Sequence, residues 1–294
     1  MRKIEKGLFK IVSICVSVCL FVHTIAYATP TLRANLMFDE SKRQQGIERT
    51  DDANEFLSRK DKEKILEEEI FEQWDKIRAS RSGINAVLST RYSTEQNIEN
   101  TRKLQEDIFG ILEGTLEGKR VFEVGVGIGR MTSEIAKRAK EIIGNDISPN
   151  MIQRATKNLK GFDNVSLHVG KITELGLSPK SFDLVFSSLV LIHIINPEEL
   201  KQTIEKMKEL SDRVFIVEQT YQDKGPPRSK YTIFRRREEY EQLFKPYNLT
   251  MQKEHIVSEQ DTVTMMLFEN PDQSQPTLTK DILLDNQKGL QKNL

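Results

Sequence analysis

Three alternating glycines, with one carboxylate before them and another some way after, form the part of the chain best suited to hold a ligand. Residues 121–130 read VFEVGVGIGR, and Asp146 ends the run IIGND. Because glycine lacks a Cβ, a ligand can lie directly against the backbone of such a turn. A helix after the turn directs its N-terminal amides at that ligand, and a carboxylate on the neighbouring strand can accept both ribose hydroxyls. The pattern predicts a nucleoside site that contains Glu123, Gly125, Gly127, Gly129 and Asp146.

The residue after the last glycine argues against one class of nucleoside site. A dinucleotide-binding turn requires a glycine three residues after Gly127, and that position holds Arg130. The motif Glu-x-Gly-x-Gly-x-Gly (residues 123–129) instead resembles that of the class I S-adenosylmethionine-dependent methyltransferases. In that family the acidic residue orients the glycine loop and the methionyl amine, and the glycines lie under the methionine and the ribose. A nicotinamide-dependent oxidoreductase is therefore disfavoured.

The resemblance extends over residues 118–270, with further motifs in the family's order. These are GNDISPNM (144–151) as the second motif, SFDLVFSS (181–188) as the fourth strand, VLIH (190–193) as the turn after it, and RVFIVE (213–218) as the fifth strand. The resemblance implies that S-adenosylmethionine is the cofactor and that the reaction needs no metal. It places further cofactor contacts at Ile147, Met151, Lys171, Ile172 and Ser187.

Lys171 departs from the family pattern. After the third strand these enzymes usually carry Gly-Asp, whose aspartate binds the adenine amino group, whereas this chain has Gly170-Lys171. A lysine cannot accept that hydrogen bond. Either a backbone carbonyl replaces it, or stacking holds the adenine. The substitution also leaves open a non-catalytic binding or scaffold protein that retains the methyltransferase fold.

Candidates for the chemistry follow from the reaction that the resemblance implies. A sulfonium methyl group is already activated, so the protein must align the nucleophile and, where the acceptor carries a proton, supply a general base. Ligands of such sheets bind at the carboxyl ends of the strands. Glu218 ends the fifth strand and His193 follows the fourth, so both are candidate catalytic residues. Candidate acceptor-binding residues are Tyr92, Tyr221, Tyr231 and Arg235.

Alternating β-like and helical runs predict the elements that position these residues. Strands are expected near 120–124, 141–146, 165–169, 183–187 and 213–218, and helices near 129–139, 149–159 and 197–210. After a loop at 221–231, a helix at 236–244 precedes two β-like runs at 250–257 and 262–268. The resemblance implies an α/β, Rossmann-like doubly wound fold whose seven-stranded mixed sheet has the order 3-2-1-4-5-7-6. The basic run 235–237, followed at once by glutamates, is typical of a solvated helix face.

The region before the first strand is polar and helix-prone. Residues 31–56 lack periodicity and predict a flexible stem, whereas apolar residues recur at helical spacing between 59 and 81. Trp74 and Asp75 lie in a segment that resembles the aromatic-Asp start of many such enzymes, in which helices before the first strand form a lid. A second helix is expected at 94–113. Residues 29–117 are thus predicted to be a polar stem and helical lid ahead of the methyltransferase domain (118–270), with a disordered polar tail (271–294).

The amino terminus has the layout of a secretory signal peptide. Basic residues up to Lys10 precede an apolar run (11–26), and Ala26-Tyr-Ala28 matches a small-x-small cleavage site. Residues 1–28 are therefore predicted to be a signal peptide, or a signal anchor if they are not cleaved, with the folded body outside the cytoplasm. A membrane-associated body that faces the cytoplasm is the alternative. S-adenosylmethionine is made in the cytosol, so an exported enzyme needs a supply of it.

The composition and sequence limit the classes of molecule that the protein is expected to bind or methylate. Lys+Arg and Asp+Glu both total 44, so the formal net charge is +0 and no overall field attracts nucleic acid. Residues 187–190 also lack the aromatic-proline signature that holds a flipped base. The leading acceptor is a small organic molecule methylated on oxygen or nitrogen. Methylation of a protein N-terminus or side chain is the alternative within the enzyme class.

Overall fold

The computed structural model describes residues 59–221, 228–258 and 261–272. The predicted leader, the stem as far as residue 58 and the tail from residue 273 lie outside these residues. The chain divides into two compact units, Met1–Glu69 and Ile70–Leu294, and the second contains the sheet. Within the described ranges, no helix is both long and apolar enough to cross a bilayer.

The segment before the sheet is helical, although not as one regular helix. Helix α1 (Arg59–Glu72) passes into a π-helical turn (Gln73–Arg78), and a short 3-10 turn follows at Gly83–Ala86. Helix α2 (Thr94–Ile111) begins with a capping box, in which the side chains and amides of Ser93 and Gln96 exchange hydrogen bonds. The predicted helix at 59–81 is therefore correct in place, but it changes from α to π geometry and ends at Arg78.

Nine strands lie in the described part of the chain. They are β1 (Arg120–Val124), β2 (Glu141–Asp146), β3 (Val165–Val169), β4 (Leu184–Ser188), β5 (Arg213–Thr220), β6 (Arg228–Ser229), β7 (Thr232–Ile233), β8 (Asn248–Ile256) and β9 (Thr262–Glu269). Seven of them form one sheet in the order β3-β2-β1-β4-β5-β9-β8, and β6 and β7 form a separate ribbon. Strands β1 to β5 are parallel, whereas β9 pairs antiparallel with both of its neighbours, β5 and β8. With the ribbon set aside, the predicted order is confirmed.

Four further helices connect the strands. They are α3 (Thr132–Ala136), α4 (Pro149–Asn158), α5 (Pro197–Leu210) and α6 (Arg237–Leu243). Helix α3 is shorter than the predicted 129–139 because Gly129 has a φ of +84°, which lies outside helical geometry.

The core forms two layers, one on each face of the sheet. Adjacent residues of one strand point to opposite faces. Val121 and Phe215 accordingly pack in the layer that contains α2 and α3, while Phe122 and Ile216 pack in the layer that contains α5 and α6. Because β1, β4 and β5 are buried on both sides, the carboxyl ends of these parallel strands form a rigid edge on which a site can be built.

Candidate active site

The glycine turn between β1 and α3 is fastened to the end of β2. Gly125, Gly127 and Gly129 have φ angles of +73°, +55° and +84°, a region that favours glycine. The Gly127 amide donates to Asp146 Oδ2 at 2.9 Å, and the Gly125 amide donates to the carbonyl of Asn145 at 2.8 Å. The turn and the acidic residue predicted to hold a ribose therefore lie together at the carboxyl edge of the sheet.

Asp146 has a second amide partner. Its Oδ1 accepts from the Ser148 amide at 2.9 Å. Burial raises the pKa of Asp146, and the two amides oppose that rise. The next residue, Ile147, is half-buried, and Met151 is buried in a small cluster with Ile128 and Ala86.

The glycines serve two different purposes. A Cβ at Gly125 would lie 2.3 Å from Val190 Cγ2, and one at Gly127 would lie 2.8 Å from Val87 Cγ1. Both of these valines come from segments that close over the turn. A Cβ at Gly129 would instead lie 2.8 Å from Leu159 Cδ1, just beyond the end of α4. Gly129 thus permits close packing of α4, and its contact with the cofactor stays a prediction.

Glu123 lies under the turn and is 2% exposed. Within the described residues its Oε2 has no hydrogen-bond partner, and neither has Arg130 Nη1. Burial raises the pKa of Glu123 to about 8, and the nearby Thr132 hydroxyl and the charge of Arg130 oppose this rise. A buried, unpartnered carboxylate oxygen beside a bare glycine turn fits a ligand with a cationic amine, such as the methionyl end of S-adenosylmethionine.

Lys171 points its ammonium group toward α5. Its Nζ lies 3.0 Å from Glu199 Oε1, and its amide donates to Glu174 Oε2 at 3.1 Å. The carbonyl of Gly170 accepts from the Asn145 side chain at 2.8 Å. The lysine is therefore part of an ion pair with α5, and the choice between a backbone contact and stacking for adenine stays a prediction.

The two other residues predicted to contact the cofactor are buried. Ile172 is 2% exposed and packs in the layer with α5. Ser187, near the end of β4, is fully buried, and its Oγ has no partner within the described part of the chain. Ser187 is thus an unused hydrogen-bonding group at the sheet edge.

Residues 73–93, called the lid here, lie against α4 and the glycine turn. Asp75 Oδ1 accepts from Ser148 Oγ at 2.7 Å and from the Asn150 amide at 3.0 Å. Arg154 of α4 donates to the carbonyls of Ala79 and Arg81, each at 2.8 Å. The lid expected from the sequence therefore has defined attachments to the body that holds the glycine turn.

Tyr92 attaches the end of the lid to the turn between β8 and β9. Its hydroxyl donates to Asp261 Oδ2 at 2.5 Å, and Arg91 pairs with the same carboxylate at 3.0 Å. Gln219 donates to the other oxygen of Asp261. Burial and the bond to Asp261 raise the pKa of the Tyr92 hydroxyl. Anchoring is the role that this geometry gives Tyr92, and contact with an acceptor stays a prediction.

His193 is held as a neutral imidazole. It ends the 3-10 turn Leu191–His193, and its Nδ1 lies 3.0 Å from the carbonyl oxygen of Tyr231. Because a carbonyl can only accept, Nδ1 carries the proton and Nε2 keeps its lone pair. Burial, with a smaller contribution from the charge of Arg78, lowers the pKa of His193 to about 4. The ring meets Trp74 of the lid edge-on, with 4.7 Å between the ring centroids.

Glu218 is not open to a ligand. It is fully buried, and its carboxylate accepts from the amides of Leu191 at 2.9 Å, Val190 at 3.2 Å and Ile192 at 3.3 Å. Burial raises the pKa of Glu218 to about 7, and these amides oppose the rise. The predicted direct acid–base role does not fit this enclosure, because the carboxylate is bound to the turn that carries His193.

Arg235 is likewise part of the interior. It is 7% exposed and donates to the carbonyls of Leu191 at 2.8 Å and Ile194 at 2.9 Å. The expectation that the basic run 235–237 lies on a solvated helix face is wrong for this residue, because its guanidinium supplies donors to a buried turn. Its guanidinium contacts that turn, and contact with the acceptor stays a prediction.

The two other tyrosines predicted to contact the acceptor, Tyr221 and Tyr231, lie on either side of the segment that precedes the ribbon strand β7. Tyr221 is half-buried, with the Arg236 guanidinium 5.4 Å from its ring centroid. Tyr231 is half-buried too, and it meets His193 through its backbone carbonyl. Contact of either ring with an acceptor stays a prediction. The described residues contain no cluster of three or more His, Cys, Asp or Glu side chains that could hold a metal ion.

Sequence reasoning missed several residues that shape this edge. Arg154, Glu199 and Asp261 act through partners that lie 28 to 170 residues away in the chain. Nothing in their local sequence marks them. Asp75 was marked only by its place in the aromatic-Asp segment.

Comparisons with known proteins agree with this geometry. A methyltransferase-domain family model matches residues 121–212. Residues 121–212 are thus similar in sequence to a methyltransferase domain. The fold, with its strand order β3-β2-β1-β4-β5-β9-β8, is similar to that of solved methyltransferases.

One curated relative and two solved structures illustrate the similarity. Phosphoethanolamine N-methyltransferase 3 of Arabidopsis thaliana is 29% identical over 137 residues, which cover 44% of this chain and 28% of that protein. The match thus spans little more than a quarter of the relative. Phosphoethanolamine N-methyltransferase 1 of Haemonchus contortus, in complex with phosphoethanolamine and S-adenosylhomocysteine, superposes with a TM-score of 0.55 at 16% identity, covering 79% of this chain and 56% of that one. Magnesium protoporphyrin IX methyltransferase of Synechocystis, with bound S-adenosylhomocysteine, gives a TM-score of 0.56 at 14% identity. The superposition covers 69% of this chain and 100% of that one.

Proposed function

We propose that this methyltransferase transfers the methyl group of S-adenosylmethionine to a nitrogen of a small organic amine, with phosphoethanolamine as the first candidate. The observation that carries the proposal is His193, a neutral imidazole whose Nε2 keeps its lone pair. The turn that holds it also places Val190 against Gly125, so the imidazole belongs to the same edge as the cofactor turn. The name of the Arabidopsis thaliana relative supports an amine acceptor.

Each part of the site has a separate role in this proposal. The cofactor, when bound, supplies an activated methyl group. The glycine turn and Asp146 would hold its nucleoside, and Glu123 would accept a hydrogen bond from its amine. His193 Nε2 accepts a hydrogen bond from the N–H of the acceptor, which turns the nitrogen lone pair toward the methyl group. The proton that leaves the nitrogen passes to water, because the lowered pKa of His193 keeps the imidazole neutral. The lid limits the access of water to this edge.

Two measurements test the proposal. Calorimetric titration with S-adenosylmethionine should give micromolar affinity. Formation of S-adenosylhomocysteine should then be faster with phosphoethanolamine than with glycerol 3-phosphate, which carries the phosphate without the amine. His193→Gln should lower turnover while leaving cofactor affinity in place. Cofactor binding without turnover of the amine would overturn the acceptor, and a folded protein that does not bind the cofactor would favour the non-catalytic binding protein.

We also propose that residues 1–28 direct the protein to export or anchor it in a membrane, ahead of a stem and lid (29–117) and the catalytic domain (118–270). The support is the basic, apolar and small-residue order of that leader. Mass spectrometry of the protein from fractionated cells tests this proposal. A first residue near 29 in the exported fraction would indicate cleavage, and an intact chain in the membrane fraction would indicate an anchor. An intact chain in the cytosolic fraction would contradict both.

A further inference from the structure

The turn that presents His193 is held from both sides by buried charges. Glu218 of β5 accepts from three of its amides, those of residues 190–192. Arg235, between β7 and α6, donates to two of its carbonyls, those of residues 191 and 194. One acidic and one basic side chain thus bind opposite polar groups of a single five-residue segment.

The local backbone needs such partners. A 3-10 turn as short as Leu191–His193 leaves most of its own N–H and C=O groups without partners inside the turn. Leu191 and Ile192 are buried, so water does not supply these partners freely, and an unpaired buried amide is costly. Hydrogen bonds to charged groups are stronger and more directional than bonds to neutral ones.

Arg235 also connects this turn to the second support of the imidazole. Its Nη1 lies 3.3 Å from the carbonyl of Ile233, in β7. Tyr231, which accepts from His193 Nδ1, immediately precedes β7. The guanidinium therefore links the segment that carries the imidazole to the segment that fixes its tautomer.

We infer that Glu218 and Arg235 are positioning residues, which hold His193 in one orientation and one tautomer so that Nε2 faces the acceptor. The orientation rests on the hydrogen bonds themselves, whereas its consequence for turnover rests on the proposed function. Neither residue touches the reacting atoms in this arrangement. Their charges act on the backbone of the turn, and the turn places the ring.

The direct test is nitrogen NMR of the histidine side chains in protein labelled with ¹⁵N-histidine. The His193 signal is assigned by its loss in His193→Gln. In the wild-type protein we expect protonated Nδ1 and unprotonated Nε2. Glu218→Gln and Arg235→Lys should shift His193 toward a mixture of tautomers and raise its pKa toward the ordinary value. The signals of His168 and His255 should stay unchanged, which also shows that each variant is folded.

Matched controls and a kinetic measurement complete the test. Glu238→Gln and Arg102→Lys make the same changes at exposed positions and should leave the His193 signal unchanged. With an amine acceptor, the positioning variants should lower kcat about 10- to 100-fold and leave cofactor affinity within about twofold.

The possible results separate this inference from the proposed function. An unchanged His193 tautomer in both folded variants would overturn the inference, whatever the kinetics. A changed tautomer in a protein that methylates no amine would support the inference and leave the proposed acceptor as the part that failed.

Discussion

At the scale of single residues, the site controls charge by burial. Enclosure raises the pKa of Glu123 to about 8 and that of Glu218 to about 7, and it lowers the pKa of His193 to about 4. In each case burial stabilises the neutral form relative to the charged form, as expected for groups that are removed from water. Glu218 has amide partners and Arg235 nearby, whereas Glu123 Oε2 has no partner within the described residues. Of these two carboxylates, Glu123 is therefore the one whose ionisation disfavours the folded state more.

The pH dependence of stability should reveal this carboxylate. Because the folded pKa of Glu123 lies above its ordinary value of 4.5, its contribution to stability is fully present below pH 4.5 and is lost as the pH rises through about 8. His193 acts in another window, because its lowered pKa makes stability fall as the pH drops from 6.5 to about 4. The glutamine of Glu123→Gln cannot ionise, so this variant escapes the loss of stability that the wild type suffers as the pH rises. From pH 5 to pH 8, the unfolding free energy of the variant should therefore rise relative to that of the wild type by roughly 3 kcal/mol.

Urea unfolding of the wild type and Glu123→Gln at pH 5, 6.5 and 8 measures this difference. Glu113→Gln, at an exposed position, is the control and should show no trend with pH. A difference between Glu123→Gln and the wild type that stays constant over this range would show that Glu123 is already ionised at pH 5.

At the scale of elements, the sequence predicted the strands whose bounds depend on local residue patterns. Strands β2 and β3 have the predicted bounds, because a β-like run of strand length between turns is a local signal. The π-helical turn, the ribbon and the late start of α3 were not predicted. The first two depend on contacts distant in sequence, such as Asp75 with Ser148 and Tyr231 with His193. The start of α3 depends on a left-handed glycine.

That glycine supplies a prediction for the element. Gly129→Ala should lower the unfolding free energy by about 2–3 kcal/mol, since the left-handed conformation disfavours alanine and the new Cβ meets Leu159. Gly110 is the matched control, because it is exposed in α2 with nothing within 4 Å of a Cβ. Gly110→Ala should raise the unfolding free energy by about 0.5–1 kcal/mol. Chemical denaturation measures both, and the same sign for the two variants would contradict the packing role of Gly129.

At the scale of the whole molecule, the sequence predicted that helices before the first strand form a lid, and it could not predict how that lid is attached. The compact unit that contains the sheet begins at Ile70 and so includes the lid. The lid is attached to α4 through Asp75 and Arg154, lies against the glycine turn through Val87, and is tied to Asp261 through Tyr92. A cofactor held at the glycine turn should therefore leave only after some of these attachments open.

Arg154 is the attachment that a single substitution removes most cleanly. Its guanidinium donates to three lid carbonyls, those of Ala79, Arg81 and Gly83, and a glutamine can neither span them nor supply a charge. Arg154→Gln should raise the dissociation rate of S-adenosylhomocysteine about tenfold, which corresponds to about 1.4 kcal/mol, with little change in the association rate. Stopped-flow displacement measures both rates. Lys157→Gln removes the same charge at an exposed position of α4, so it should leave dissociation unchanged. Equal rates in the two variants would mean that ligand release does not require the lid to detach from α4.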